Sequence, residues 1–141
     1  MAAVIVTPVF RPQGAPGAEV ERFLRAASYW FFSDRILYTD TSPATIFRIP
    51  AGMLVTGAGC EVLTAFVGTT PVLSLGVSGV TGRHLATTDI TATTLGFYET
   101  AKGWHYDVNA DLIVTIGGTS LTAGIARFWI EVRFNDTLQP V

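Results

Sequence analysis

The chain has 141 residues, 49% of them hydrophobic and only 14% charged, with a formal net charge of −2. That length fits one domain able to bury roughly two-thirds of its unfolded surface. The weak acidity gives no nucleic-acid footprint, and no apolar run approaches the ~18 residues of a membrane-spanning helix.

Charge is well below the usual quarter of residues, while mean hydropathy is +0.42. Charge depletion marks the centres of protein interfaces, so the composition points to an obligate oligomer or a subunit of a larger assembly. The other reading is a monomer whose polar surface is threonine- and glycine-rich. Of the nine basic residues only Lys102 is lysine, and arginine suits planar, partly desolvated pairing inside assemblies. The single cysteine, Cys60, has no internal partner and reads as a small buried hydrophobe. The opening MAAVIVTPVFRPQ lacks a basic region followed by an apolar core and cleavage site, so no secretory signal is expected.

In chain order, residues 1–28 read as an amino-terminal arm. Val4-Ile5-Val6 could form a short strand, but Pro8, Pro12, Gly14, Pro16 and Gly17 break anything longer. Val20, Phe23, Leu24 and Ala27 fit one face of a short helix over Ala18–Ala27, with Glu19 and Glu21 at its start. The remaining 29–141 read as a β-sandwich domain. Tyr29-Trp30-Phe31-Phe32 and Arg35–Thr39 are strand-like, and Asp40-Thr41-Ser42-Pro43 is a turn. Ala44–Ile49 forms the next strand, and Gly57-Ala58-Gly59 suggests a bulge or bend.

Two apolar runs, Cys60–Val67 and Val72–Val77, flank Gly68-Thr69-Thr70-Pro71 and predict an antiparallel hairpin. Gly79–Asp89 reads as a loop, Ile90–Glu99 as a strand with Leu95 and Phe97 on one face, and Thr100–Asn109 as a loop or edge. Asp111–Gly117 is a strand with Leu112, Val114 and Ile116 on one side, and Gly117–Ser120 a turn. The last strand is the clearest. Ala126, Phe128, Ile130, Val132 and Phe134 alternate with Arg127, Trp129, Glu131 and Arg133, giving one buried and one wetter face. The expected class is all-β, an antiparallel β-sandwich or jelly roll with an extended amino-terminal arm and room for one short helix.

No catalytic constellation emerges. His84 and His105 sit in no nucleophile signature and read as satisfied loop or surface histidines. Asp107-Val108-Asn109-Ala110-Asp111 starts like a calcium loop, but Leu112 stands where glycine is needed and Gly118 where the bidentate glutamate belongs. The glycine pairs lie between strands with no helix to cradle a phosphate. The expectation is a non-enzyme with no cofactor and no metal. Trp129 is expected to be exposed or in an interface, and with Arg127 and Glu131 it has the aromatic–arginine character of binding hot spots. Trp104 and Trp30 complete the interface candidates.

Ile49-Pro50-Ala51-Gly52, Leu54-Val55-Thr56, Val62–Phe66 and Pro71–Gly76 carry a resemblance, with Ala110–Ile116, Thr122-Ala123-Gly124 and the terminal Val132-Arg133-Phe134. Over residues 44–134 the chain resembles small virion proteins of tailed bacteriophages. The resemblance implies a non-enzymatic β-sandwich that decorates or cements the capsid, commonly as a trimer at local three-fold positions. Its implied partners are further copies of itself and the major capsid protein or another virion protein, with no nucleic acid and no membrane. Its implied place is the virion, after synthesis in the host cytoplasm. The alternative is a head-fibre, tail or baseplate component of the same type that binds a surface glycan. No functional residue transfers, because the family has no active site.

Overall fold

A computed structural model describes residues 3–5 and 28–134, without the side chains of Ile5 and Phe134. The helix expected over Ala18–Ala27 and most of the expected arm lie outside these residues. The described chain is all-β. Its strands are β1 (Val4–Ile5), β2 (Ser28–Phe32), β3 (Ile36–Leu37), β4 (Ala44–Ile49), β5 (Met53–Val77), β6 (Val80–Leu85), β7 (Gly96–Thr100), β8 (Trp104–Tyr106) and β9 (Ala110–Phe134).

Two strands of 25 residues, β5 and β9, run antiparallel along nearly their whole length and form the spine. The free edge of β9 takes β2, β3 and β4; the free edge of β5 takes β6, β7 and β8. β1 joins outside β4 in parallel, pairing Val4 with Phe47, so part of the expected Val4–Val6 strand forms. Between β2 and β3 the chain leaves the ladder, and Ser33 spans the gap. Its backbone N–H donates to the Phe128 carbonyl at 2.8 Å, and its hydroxyl accepts from the Phe128 N–H at 3.0 Å.

The hairpin expected at Gly68-Thr69-Thr70-Pro71 does not exist, nor does the turn at Gly117–Ser120. Each segment is a bend inside one long strand, and the two bends pair with each other through Thr69↔Thr119 and Val72↔Gly117. Thr70 at φ 47°, Ser120 at φ 55° and Gly118 at φ 110° redirect the backbone there. A turn signal in both partners at the same level bends the ribbon instead of ending it, because the ladder resumes beyond. The two apolar runs therefore pair with β9 and not with one another.

The predicted loop Gly79–Asp89 is instead largely β6, entered by a tight return from Val77 to Val80 with Gly79 at φ 86°. Of the predicted strand Ile90–Glu99 only Gly96 onward pairs. Ile90 and Ala92 plug the core from a loop, held by the Phe66 N–H donating to the Ala92 carbonyl at 2.9 Å. Trp104–Tyr106 is an edge strand, within the loop-or-edge reading.

One face of the curled sheet closes on a single core that includes Phe47, Val55, Cys60, Phe66, Leu75, Leu112, Phe128 and Ile130. Each such apolar side chain contributes about 1.5–3 kcal/mol on burial. The inward set on β5 is Met53 and Val55, then Ala58, Cys60 and Val62. The change of phase coincides with a register shift between Val55 and Gly57. A single slip would turn every later side chain outward, so the expected bulge at Gly57 keeps β5 facing the core. β9 alternates as read: Ala126, Phe128, Ile130 and Val132 are fully buried.

Candidate functional site

The outward face over β2, β9, β5 and β7 follows from strand register. Phe32 pairs with Trp129, Trp129 with Gly59, and Gly59 with Glu99. One row further along, Arg127 pairs with Glu61 and Glu61 with Phe97; on the other side Trp30 pairs with Glu131 and Glu131 with Gly57. All of these side chains share a face, because paired residues in a sheet point the same way. Their alternates Tyr29 and Phe31 pack against the core, as does Tyr98.

A groove crosses this face between β2 and β7. Trp30 and Phe32 wall one side and Phe97 and Glu99 the other, with Trp129 between them. Along the strands it continues past Thr56 and Gly57 to Glu131. The wall aromatics are open to solvent: Trp30 is 54% exposed, Phe32 53% and Phe97 72%.

Trp129 differs from expectation. It lies on the outward face but is only 7% exposed. Gly59 opposite has no side chain, so the indole occupies that space, where an added Cβ would come within 2.1 Å of its Cζ2. Phe32 and Phe97 flank the ring with centroids 6.3 and 6.2 Å away, in the tilted arrangements aromatic pairs favour. Arg127 places its guanidinium carbon 5.6 Å from the Phe32 ring. The Glu131 carboxylate accepts from the Thr56 hydroxyl at 2.5 Å.

The structure thus gathers Trp30, Arg127, Trp129 and Glu131 from the sequence candidates and leaves Trp104 out of the groove lining. Trp104 sits on β8, with Arg83 3.9 Å over its ring. The groove also holds Phe32, Phe97, Glu61 and Glu99, which sequence reading missed. Their signal was present, since each alternates with a core-packing neighbour, but only register places them side by side.

The two histidines do not converge. His84 is fully buried in β6, not in a loop or at the surface. Its Nδ1 is 3.1 Å from the Lys102 carbonyl and its Nε2 2.6 Å from the Tyr106 hydroxyl. The carbonyl accepts only, so Nδ1 carries the proton and Nε2 accepts from the tyrosine. Burial pushes the His84 pKa down to about 4, the Lys102 carbonyl bond opposing and the Arg83 and Lys102 charges adding to the fall. Burial also raises the Tyr106 pKa, with Arg83 acting against it. His105 is elsewhere engaged, its Nδ1 2.9 Å from the Asp107 carboxylate.

Cys60 is buried as read, and burial, with the Glu61 charge adding, pushes its thiol up to about 12. Asn109 of the rejected calcium pattern serves the turn by accepting from the Ala51 N–H at 2.9 Å. Among the described residues no three His, Cys, Asp or Glu side chains come together as a metal-binding group.

No protein-family model and no curated protein matches this sequence. Two solved structures are similar in fold. A chain of the acidic stable capsid structure of Helicobacter pylori bacteriophage KHP30 superposes with a TM-score of 0.61 at 13% identity, over 78% of this chain and 90% of that one. A chain of the cyanophage Pam1 capsid asymmetric unit gives 0.57 at 16% identity, over 92% and 95%. At such identities the likeness is one of fold.

Proposed function

We propose that this chain is a structural protein of a phage virion, a capsid decoration or cement subunit that acts by adhesion and carries out no catalysis. The observation that carries the reading is the shared fold, which extends over nearly the full length of chains from two phage capsid structures. The low charge of the sequence supports it, as does the exposed aromatic groove. Exposed aromatics beside arginine form the centres of protein contacts. Its partners on this reading are further copies of itself, as a trimer, and the major capsid protein or another virion protein. Such a subunit binds the assembled shell and not its separated parts, so it stabilises the shell by mass action. Contacts of about 1,600 Å², repeated over a lattice, accomplish this without any single strong bond.

The test is co-sedimentation of the purified protein with phage heads that lack it, alongside its mass in solution. An oligomer that saturates the heads and raises their resistance to heat is the expected result. A monomer with no affinity for heads would remove the reading. Labelling on tails, together with glycan binding, would move it to the fibre or tail alternative.

A further inference from the structure

We propose that the groove between β2 and β7 takes an extended basic segment of another polypeptide, whose arginine or lysine side chains lie against the rings and pair with Glu61 and Glu99. That this polypeptide belongs to a virion rests on the function proposed above; the chemistry of the groove does not.

Shape comes first. Trp129 over Gly59 forms a floor, and side chains of β2 and β7 form the walls. The groove follows the strands from the Arg127–Glu61 row to the Glu131–Gly57 row. Four residues of strand span about 13 Å at ~3.3 Å per residue, which matches an extended segment of similar length.

Charge decides the occupant. Glu61, Glu99 and Glu131 face the groove against Arg127 alone. Among the described residues neither Glu61 nor Glu99 has an ion-pair partner, and Glu131 is engaged by Thr56. An aromatic face next to a carboxylate suits a cation, which the ring quadrupole and the negative charge both attract. The molecule uses this chemistry internally, where Arg127 approaches the Phe32 ring. A sugar would also stack on Trp30 and Phe97 and donate hydroxyls to the carboxylates, but it would leave the excess of three glutamates over one arginine unneutralised, which a basic segment does not.

The test uses a capped peptide alternating arginine and leucine, the same peptide with glutamine for arginine, and maltohexaose. Binding is read by tryptophan fluorescence and by amide shifts. The arginine peptide is expected to bind, with shifts confined to β2, β5, β7 and β9 and with affinity falling steeply with salt. The double variant Glu61→Gln/Glu99→Gln should weaken it about tenfold or more at unchanged thermal stability, and Phe97→Ala should weaken it independently. Absence of binding overturns the proposal, as does equal binding of the glutamine peptide. Maltohexaose binding that survives the double variant overturns it in favour of a glycan. Heads that bind wild type and the double variant equally would remove the basic partner and leave the virion role intact. Peptide binding without head binding would do the reverse.

Discussion

The indole of Trp129 occupies the space where Gly59, its cross-strand partner, has no side chain. This one relationship turns a tryptophan on an outward face into the floor of a groove. The Gly59→Ala variant must displace a rigid ring, an overpacking cost of about 1–3 kcal/mol. Urea unfolding should show that loss, with a red shift of tryptophan emission. Unchanged emission and midpoint would mean the indole does not rest there.

The groove walls should separate binding from folding. Trp30 and Phe97 are mostly exposed, so Trp30→Ala and Phe97→Ala should alter stability by no more than about 0.5 kcal/mol while weakening attachment to heads. Trp129→Ala should instead cost about 3–5 kcal/mol. Equal destabilisation by all three would show that the walls are part of the core.

Phe128 is fully buried one residue away, on the opposite face of β9. Phe128→Ala should cost about 3–5 kcal/mol, measured as a lower denaturant midpoint at unchanged slope. A cost below about 1 kcal/mol would mean that the faces of β9 are reversed.

Acid should destabilise the fold through His84. Its folded pKa is lowered to about 4 from 6.5. Above pH 6.5 the ring is neutral in both states and the full stability is present. As pH falls through 6.5 the unfolded chain takes up a proton that the folded chain refuses, and stability declines until about pH 4, where the loss levels off. The gap corresponds to about 3 kcal/mol. Unfolding free energies at pH 7 and pH 4.5 should therefore diverge in the wild type and converge in His84→Gln. Parallel pH profiles would exclude His84 as the cause.

The paired bends give a prediction of different outcomes at adjacent positions. Thr70 is held at φ 47°, whereas Thr69 is not in the left-handed region. That backbone costs a β-branched residue about 1–2 kcal/mol, against about 0.5–1 kcal/mol for introducing glycine elsewhere in a strand. Thr70→Gly should leave thermal stability unchanged or raised, and Thr69→Gly should lower it. A matching loss in both variants would rule out strain at Thr70.

Local patterns made much of the molecule legible. The two-residue period of Ala126–Phe134 identified the buried face of β9 because alternation is intrinsic to a pleated strand. Gly57-Ala58-Gly59 announced the bulge that rephases β5. Gly68–Pro71 and Gly117–Ser120 misled for the opposite reason. Their residues permit a sharp change of direction, but only the facing strand determines whether the chain turns back or bends and continues. His84 looked like a loop residue because nothing nearby in sequence reveals the Tyr106 hydroxyl that satisfies it.

By itself, then, the sequence determined the all-β class, the inward face of the last strand, the bulge and a scarcity of charge. Those properties arise from neighbours in the chain. Tertiary structure alone decided that β5 and β9 run unbroken past each other, that Trp129 lies over Gly59, and that Trp30, Phe32, Phe97 and three glutamates line one groove. The reason is register: which residues face one another across a sheet depends on pairings between segments far apart in sequence, and those pairings are set when the whole core closes.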